Sequence, residues 1–228
     1  MGEDGKLVVA IDGPAGAGKS TVARQVSKAL GYIYIDTGAM YRALTLKALR
    51  NLVGLEDEQA LTSLAHQTDI RIAYRDHTQL IFMDGEDVSI EIRTPMVSQN
   101  VSLVAKVPGV RLEMVRLQRE LAREGGVVMD GRDIGSYVLP DAHCKIFLTA
   151  STAERARRRS RDLVEAGFEV DLAALEKEIA KRDAIDSTRE MAPLIKAEDA
   201  ILVDTTDMTF DEVVHKIKEC IAHSRNGS

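Results

Sequence analysis

The octet Gly13-Pro14-Ala15-Gly16-Ala17-Gly18-Lys19-Ser20 constrains this chain more than any other feature. It fits G-x-x-x-x-G-K-[ST], in which glycines let backbone N–H groups close around a phosphate. Its flanks supply the context that the pattern needs. Leu7-Val8-Val9-Ala10-Ile11 is a continuous apolar, β-branched run, which reads as a strand buried on both faces. Residues 18–30 place Val22, Val26, Ala29 and Leu30 on one helical face, with Gly31 as the stop. A helix starting at the loop points its positive end at the same anion. Lys19 adds a charge for the outer phosphates, and the Ser20 hydroxyl can ligate Mg²⁺. Such an octet arises by chance in roughly 1% of chains of this length, and here it also stands between a strand and a helix. The chain therefore binds a nucleoside triphosphate, with Gly13, Pro14, Ala15, Gly16, Ala17, Gly18, Lys19, Ser20 and Thr21 as the candidate binding residues; the loop alone fits a kinase, an ATPase motor or a GTP switch.

The strand–loop–helix unit repeats downstream. Tyr32–Ile35, Val127–Met129, Cys144–Leu148 and Ile201–Val203 are further buried-strand candidates, with helical patterns over 108–124, 152–166, 171–186 and 209–222. Five short apolar strands separated by helices predict an α/β fold of the phosphate-loop type, a doubly wound five-stranded parallel sheet. Residues 69–90 break the rhythm: 69–74 and 79–83 alternate, and Asp84-Gly85 marks a tight turn. They predict a small antiparallel insertion with one solvated face. With no repeats and no linker, the 228 residues read as one domain carrying appendages.

Charge and composition exclude several classes. With 30 basic and 36 acidic residues the net charge is −6, which argues against nucleic-acid or anionic-membrane partners. There is no tryptophan for a base-stacking platform. The polar stretch Met1–Lys6 and the short run after it fit no signal peptide, and no run approaches the ~20 apolar residues of a membrane span. Cys144 and Cys220 read as buried thiols of a reducing compartment. The expectation is a cytoplasmic protein. Its five histidines show no metal-ligand spacing and are given no role.

Arginines then stand where solvated charges are not needed. In Asp36-Thr37-Gly38-Ala39-Met40-Tyr41-Arg42, Thr37 is an N-cap candidate, but a cap leaves Arg42 unexplained near a helix start that repels cations. An anion between the helix start and Arg42 explains it. Asp130, at the tip of the strand before Gly131-Arg132-Asp133, can hold Mg²⁺ directly or through water. The run Arg155-Ala156-Arg157-Arg158-Arg159-Ser160-Arg161 needs an anion or carboxylates to offset its repulsion. A lid closing on transferring phosphates fits it better than a nucleic-acid patch. Arg182, Asp186 and Arg189 share one face if helical, as a surface ion-pair ladder or as a ligand-facing row. A triphosphate donor with a second, arginine-gripped anion points to a nucleoside monophosphate kinase.

These segments carry a resemblance. Ile11–Ser20, Asp36–Arg42, Asp130-Gly131-Arg132-Asp133-Ile134-Gly135, Arg182–Arg189 and Ala192-Pro193-Leu194 resemble the bacterial cytidylate kinase family along nearly the whole chain. The resemblance implies transfer of the ATP γ-phosphoryl group to CMP or dCMP, with Mg²⁺. It further implies that Thr37, Arg111 and Asp133 read the cytosine ring. Arg42, Arg132 and Arg189 would hold the acceptor phosphate, and Ser102, Arg182 and Asp186 the ribose. Lys19, Arg132, Arg155 and Arg158 would act on the transferring group. In this reading 1–228 is a single kinase domain: a core of 1–60, 105–150 and 190–228, a monophosphate-binding insertion at about 61–104 and a lid at about 152–168. A monomer is the family-like state. The alternatives are a UMP kinase, disfavoured because uracil offers Asp133 a carbonyl rather than an amine, and a nucleotide-timed regulator, for which no switch segment or apolar patch is visible.

Overall fold

β1 (Val8–Asp12) and α1 (Lys19–Leu30) open the chain in a computed structural model that describes residues 6–75, 78–165 and 167–226. Met1–Gly5, Asp76 and His77 of the insertion, Ala166 of the lid span, and Gly227 and Ser228 lie outside the described residues. After β2 (Ile33–Asp36) come α2 (Thr37–Arg50), α3 (Glu58–His66), β3 (Ile70–Arg75), β4 (Thr78–Met83) and β5 (Glu86–Asp87). A 3₁₀ turn (Glu91–Arg93) leads into α4 (Pro95–Ala105) and α5 (Pro108–Ala122). β6 (Val127–Asp130), a π-type turn (Ile134–Val138), β7 (Cys144–Thr149), α6 (Thr152–Glu165), α7 (Leu172–Thr188), β8 (Ile201–Asp204) and α8 (Phe210–Asn226) complete it.

The five-stranded sheet has the order β2-β6-β1-β7-β8, with β1 pairing parallel to β6 and β7. Central position explains composition. β6 is buried at every residue and β1 at all but Val8, so neither can alternate polar and apolar side chains. β8, at an edge, buries only Val203. The five strands expected from sequence are those observed. Among the described residues no helix is long and apolar enough to cross a membrane.

The chain divides into two compact units. The first comprises residues 1–34, 125–188 and 192–228, and its core joins Val9, Ile11, Val26, Val128, Ile146 and Leu148 to Val213 and Ile217 of α8. The second comprises residues 35–124 and 189–191. Its core packs Leu44 of α2, Leu61 of α3, Ile81 of β4, Val104 of α4 and Met114 of α5. The expected insertion is there: β3, β4 and β5 form an antiparallel sheet, and β4 alternates buried and less buried residues. Its turn has φ of 52° at Asp84 and 88° at Gly85, left-handed geometry that suits an Asp-Gly pair. α3 and α4, which the apolar pattern does not announce, fill the space around α5.

Two local readings are corrected. Thr37 is not the cap of α2. Asp36 is, its carboxylate accepting from the Ala39 N–H at 2.9 Å, so Thr37 is the first helical residue. Arg189 does not continue the row of Arg182 and Asp186. α7 stops at Thr188, the Leu194 N–H turns back to the Asp186 carbonyl, and Arg189 belongs to the other unit.

Candidate nucleotide-binding site

In the first unit β1 delivers the chain into a tight phosphate loop. Gly13 has φ of 146°, and a Cβ there would lie 1.9 Å from the Leu148 carbonyl oxygen of β7. No L-residue fits that spot, which is why the octet must begin with glycine. The loop ends at Gly18, the cap of α1, which supplies no side-chain acceptor for the first helical N–H groups. Donors without a side-chain cap at a helix start are what an anion cradle requires. The Lys19 side chain is buried and its Nζ donates to the Pro14 carbonyl at 2.7 Å. Burial and the nearby Arg132 hold its pKa well below the usual lysine value, partly opposed by Asp130. Extra negative charge is the partner this ammonium lacks.

Asp130 ends β6 under the same loop. Its carboxylate accepts from the Ser20 hydroxyl at 2.8 Å and from the Tyr34 hydroxyl at 2.9 Å. Two hard oxygen donors at hydrogen-bond distance, beside a phosphate cradle, are of the kind that would hold a Mg²⁺ ion. No cluster of three or more His, Cys, Asp or Glu that could hold a metal ion occurs among the described residues.

The arginine-rich helix α6 is compensated by carboxylates. Glu154 accepts from Arg157 at 2.6 Å and from Arg158 at 3.0 Å. Arg158 also donates to the hydroxyl and carbonyl of Thr205, at 2.9 and 2.6 Å. Arg155 is buried rather than solvent-facing. It binds the Ala15 carbonyl of the loop at 2.9 Å, the Ala150 carbonyl at 3.0 Å and the Asp183 carboxylate at 2.6 Å. Two lid-candidate arginines thus have different surroundings: Arg155 touches the phosphate loop itself, and Arg158 the loop after β8. Arg132 pairs with Asp186 at 2.9 Å in the same unit, where Asp133 is buried and Arg182 follows on α7.

The second unit carries another cationic centre. At the start of α2, Arg42 donates to Asp36 at 2.8 Å, and Arg93 from the 3₁₀ turn approaches the same carboxylate at 3.7 Å. Burial works against the charge on Asp36, but Arg42 and then Arg93 outweigh it and hold the pKa below the usual carboxylate value. The side chain of Gln79 on β4 accepts from the Asp36 N–H at 2.9 Å, tying the small sheet to this corner. Arg93 and Gln79 carry no local sequence signal, and only the fold brings them to Asp36. Arg111, on α5, is 1% exposed, donates to the Ala105 carbonyl at 3.2 Å and lies over the Tyr41 ring at 5.5 Å. Thr37, Ser102 and Arg189 are buried in this unit.

A parallel sheet of this order, with a glycine loop closed over a lysine and a serine–aspartate pair beside it, defines a phosphate-loop nucleotide-binding protein of the small-kinase type. A solved shikimate kinase from Bacteroides thetaiotaomicron has this fold, with a TM-score of 0.51 at 13% identity over 95% of this chain and 98% of that one. Residues 9–223 match the family described as Cytidylate kinase. A protein from Geobacillus sp. (strain WCH70) named cytidylate kinase is 60% identical over 213 residues, which are 93% of this chain and 95% of the relative. One of the same name from Desulforamulus reducens is 57% identical over 92% of this chain and 94% of its own length. The chain belongs to the cytidylate kinase family.

Proposed function

We propose that this chain transfers the γ-phosphoryl group of ATP to CMP or dCMP, giving CDP or dCDP and ADP. The observation that carries the reading is the loop closed around Lys19 in a chain 60% identical to a cytidylate kinase. Gly13 to Thr21 cradle the ATP phosphates, and Lys19 meets the outer ones. Ser20 and Asp130 hold Mg²⁺, which when bound supplies positive charge to the phosphates.

The acceptor is read by its chemistry. Asp133 accepts from the exocyclic amine of cytosine, where uracil presents a carbonyl, and Thr37 and Arg111 complete the contacts to the base. Arg42, Arg132 and Arg189 hold the acceptor phosphate; Ser102, Arg182 and Asp186 contact the ribose. The carboxylates already facing Arg42 and Arg132 support this, since they orient guanidinium groups that would otherwise sample many rotamers. The acceptor phosphate oxygen is already a nucleophile, so catalysis consists of alignment and charge stabilisation. Arg155 and Arg158 belong to a lid at about 152–168 that excludes water and, on closing, exchanges protein acceptors for phosphate oxygens. Residues 1–228 act as a single kinase domain, with 61–104 as its monophosphate-binding insertion. The free, buried thiols of Cys144 and Cys220 support work in a reducing cytoplasm.

A coupled ADP-release assay with ATP and Mg²⁺ tests this directly, comparing CMP, dCMP, UMP, AMP and no acceptor. The expected result is turnover with CMP and dCMP far above the others. Equal ADP release with and without a monophosphate would overturn the reading.

A further inference from the structure

Gly16 is a glycine that the phosphate-loop pattern does not call for. G-x-x-x-x-G-K-[ST] fixes glycine only at its first and sixth positions, Gly13 and Gly18 in this chain. Gly16 has φ of 76°, and a Cβ there would lie 3.1 Å from both the Cβ and the carbonyl oxygen of Arg155. The first turn of α6 therefore rests directly on the loop, and the glycine makes room for it. The Arg155 guanidinium is fixed at the junction of β7 and α6: its Nε donates to the Ala150 carbonyl at 3.0 Å and its Nη2 to the Thr152 hydroxyl at 3.1 Å. Its Nη1 donates to the Ala15 carbonyl at 2.9 Å and pairs with the Asp183 carboxylate at 2.6 Å.

Asp183 closes the arrangement from α7. One of its carboxylate oxygens takes Arg155, and the other accepts from the Ala15 N–H at 3.4 Å. Ala15 is thus held on both sides, its N–H by Asp183 and its carbonyl by Arg155, while the two side chains hold each other. The peptide planes before and after Ala15 are each tied down, and with them the entry into Gly16. All of these residues lie in the first unit. Arg155 is 5% exposed, so a guanidinium packed there against the loop needs a counter-charge, and Asp183 supplies it.

We infer that Asp183 is a positioning residue for the triphosphate: together with Arg155 it braces Ala15 and holds the phosphate loop in the shape that receives ATP. The inference rests on the reading of this loop as the ATP site and adds to it a carboxylate from a distant helix. Arg155 is then the root of the lid, and Arg158, held by Glu154 and Thr205, is the arginine that exchanges acceptors on closing. The sign of the effect separates bracing from charge. Removing a negative charge beside a triphosphate site would by itself tighten ATP. Loosening the loop weakens ATP, because fewer molecules are in the shape that binds.

The test is the dissociation constant of ATP for Asp183→Ala, measured by calorimetry without acceptor. A ~5-fold or greater weakening is expected, with faster hydrogen exchange at the Ala15 amide. KM for CMP at saturating ATP should stay within about twofold, since the acceptor does not use this contact. Added to Arg155→Ala, Asp183→Ala should weaken ATP no further, because the two residues form one brace. ATP affinity that is unchanged or tighter would overturn the inference, and so would a loss that adds in full to that of Arg155→Ala. A loss confined to KM for CMP would overturn it too, by assigning Asp183 to the acceptor side with Arg182 and Asp186. If the unaltered chain takes up no ATP, the functional reading fails and the inference falls with it; if it binds ATP and Asp183→Ala binds it equally well, only the role of Asp183 fails. Should Asp183→Ala not fold, Asp183→Asn must still weaken ATP, and the Ala15 amide of the unaltered protein must be protected before ATP is added. Exchange of that amide at open-loop rates would overturn the inference.

Discussion

β1 and β2 each end in an aspartate that is 4% exposed, and the two carboxylates are held by opposite means. Asp12, in the first unit, is bound by two backbone N–H groups, and burial dominates, raising its pKa to about 7. Asp36, in the second, has one backbone N–H and two guanidinium groups, and the charges of Arg42 and Arg93 win over burial. The same residue type at the same strand position is thus a backbone clamp in one unit and an electrostatic hub in the other. The chain beyond each aspartate differs as well. After Asp12 the backbone itself is forced into a shape only glycine adopts, whereas after Asp36 a regular helix begins.

The largest effect should come from breaking the backbone side of this contrast. In Gly13→Ala the new Cβ would sit 1.9 Å from a backbone oxygen of β7, a position with no flexible side chain to yield. A loss of about 4 kcal/mol or more is expected in urea denaturation without nucleotide. A loss below about 1 kcal/mol would show that β1 and β7 separate easily, and that the loop is not set by steric contact. Next in size is Arg42→Ala, which takes the nearer guanidinium from Asp36 and leaves the buried carboxylate with the Ala39 N–H and the more distant Arg93. About 2–3 kcal/mol should be lost, and the double variant Asp36→Asn, Arg42→Ala should recover part of it. If each single substitution simply adds, the hub is no more than a surface pair.

The contrast also explains what the sequence discloses. The phosphate loop is legible because its constraint is local: Gly13, Gly18, Lys19 and Ser20 must be contiguous for one backbone to wrap one anion. The central strands are legible because burial on both faces leaves an unbroken apolar run, as in Val127–Met129. Asp36 is harder, since Asp and Thr are both good caps and adjacent here, and only the bond to Ala39 separates them. Arg155 reads as one of five similar arginines, yet its contacts with Ala15 and Asp183 single it out. Asp12 and Arg93 have no readable signal, because their partners lie far along the chain and nothing in the neighbouring residues announces them. α3 and α4 are likewise silent, as short helices packed in a helical cluster need no clean amphipathic stripe.

The pH dependence is the most discriminating test, because the two aspartates should bend the stability curve in opposite directions. Asp12 has a folded-state pKa raised from 3.8 to about 7, so between those values the folded protein keeps a proton that the unfolded chain has released. Stability therefore falls as pH rises across that window and levels off above it. Asp36 is depressed when folded, by Arg42 and Arg93 against burial. Its contribution is present above the ordinary carboxylate value and is lost as pH falls through the lower folded value. Urea midpoints measured in steps from pH 3 to pH 8 would separate the two. Asp12→Asn should flatten the decline between about pH 4 and pH 7 while leaving the acid limb intact, and Asp36→Asn should soften the acid limb while leaving the decline. If Asp12→Asn leaves the slope above pH 4 unchanged, its two N–H bonds outweigh its burial after all. Asp12 would then be ionised throughout, and the two strand ends would differ in their partners but not in their charge.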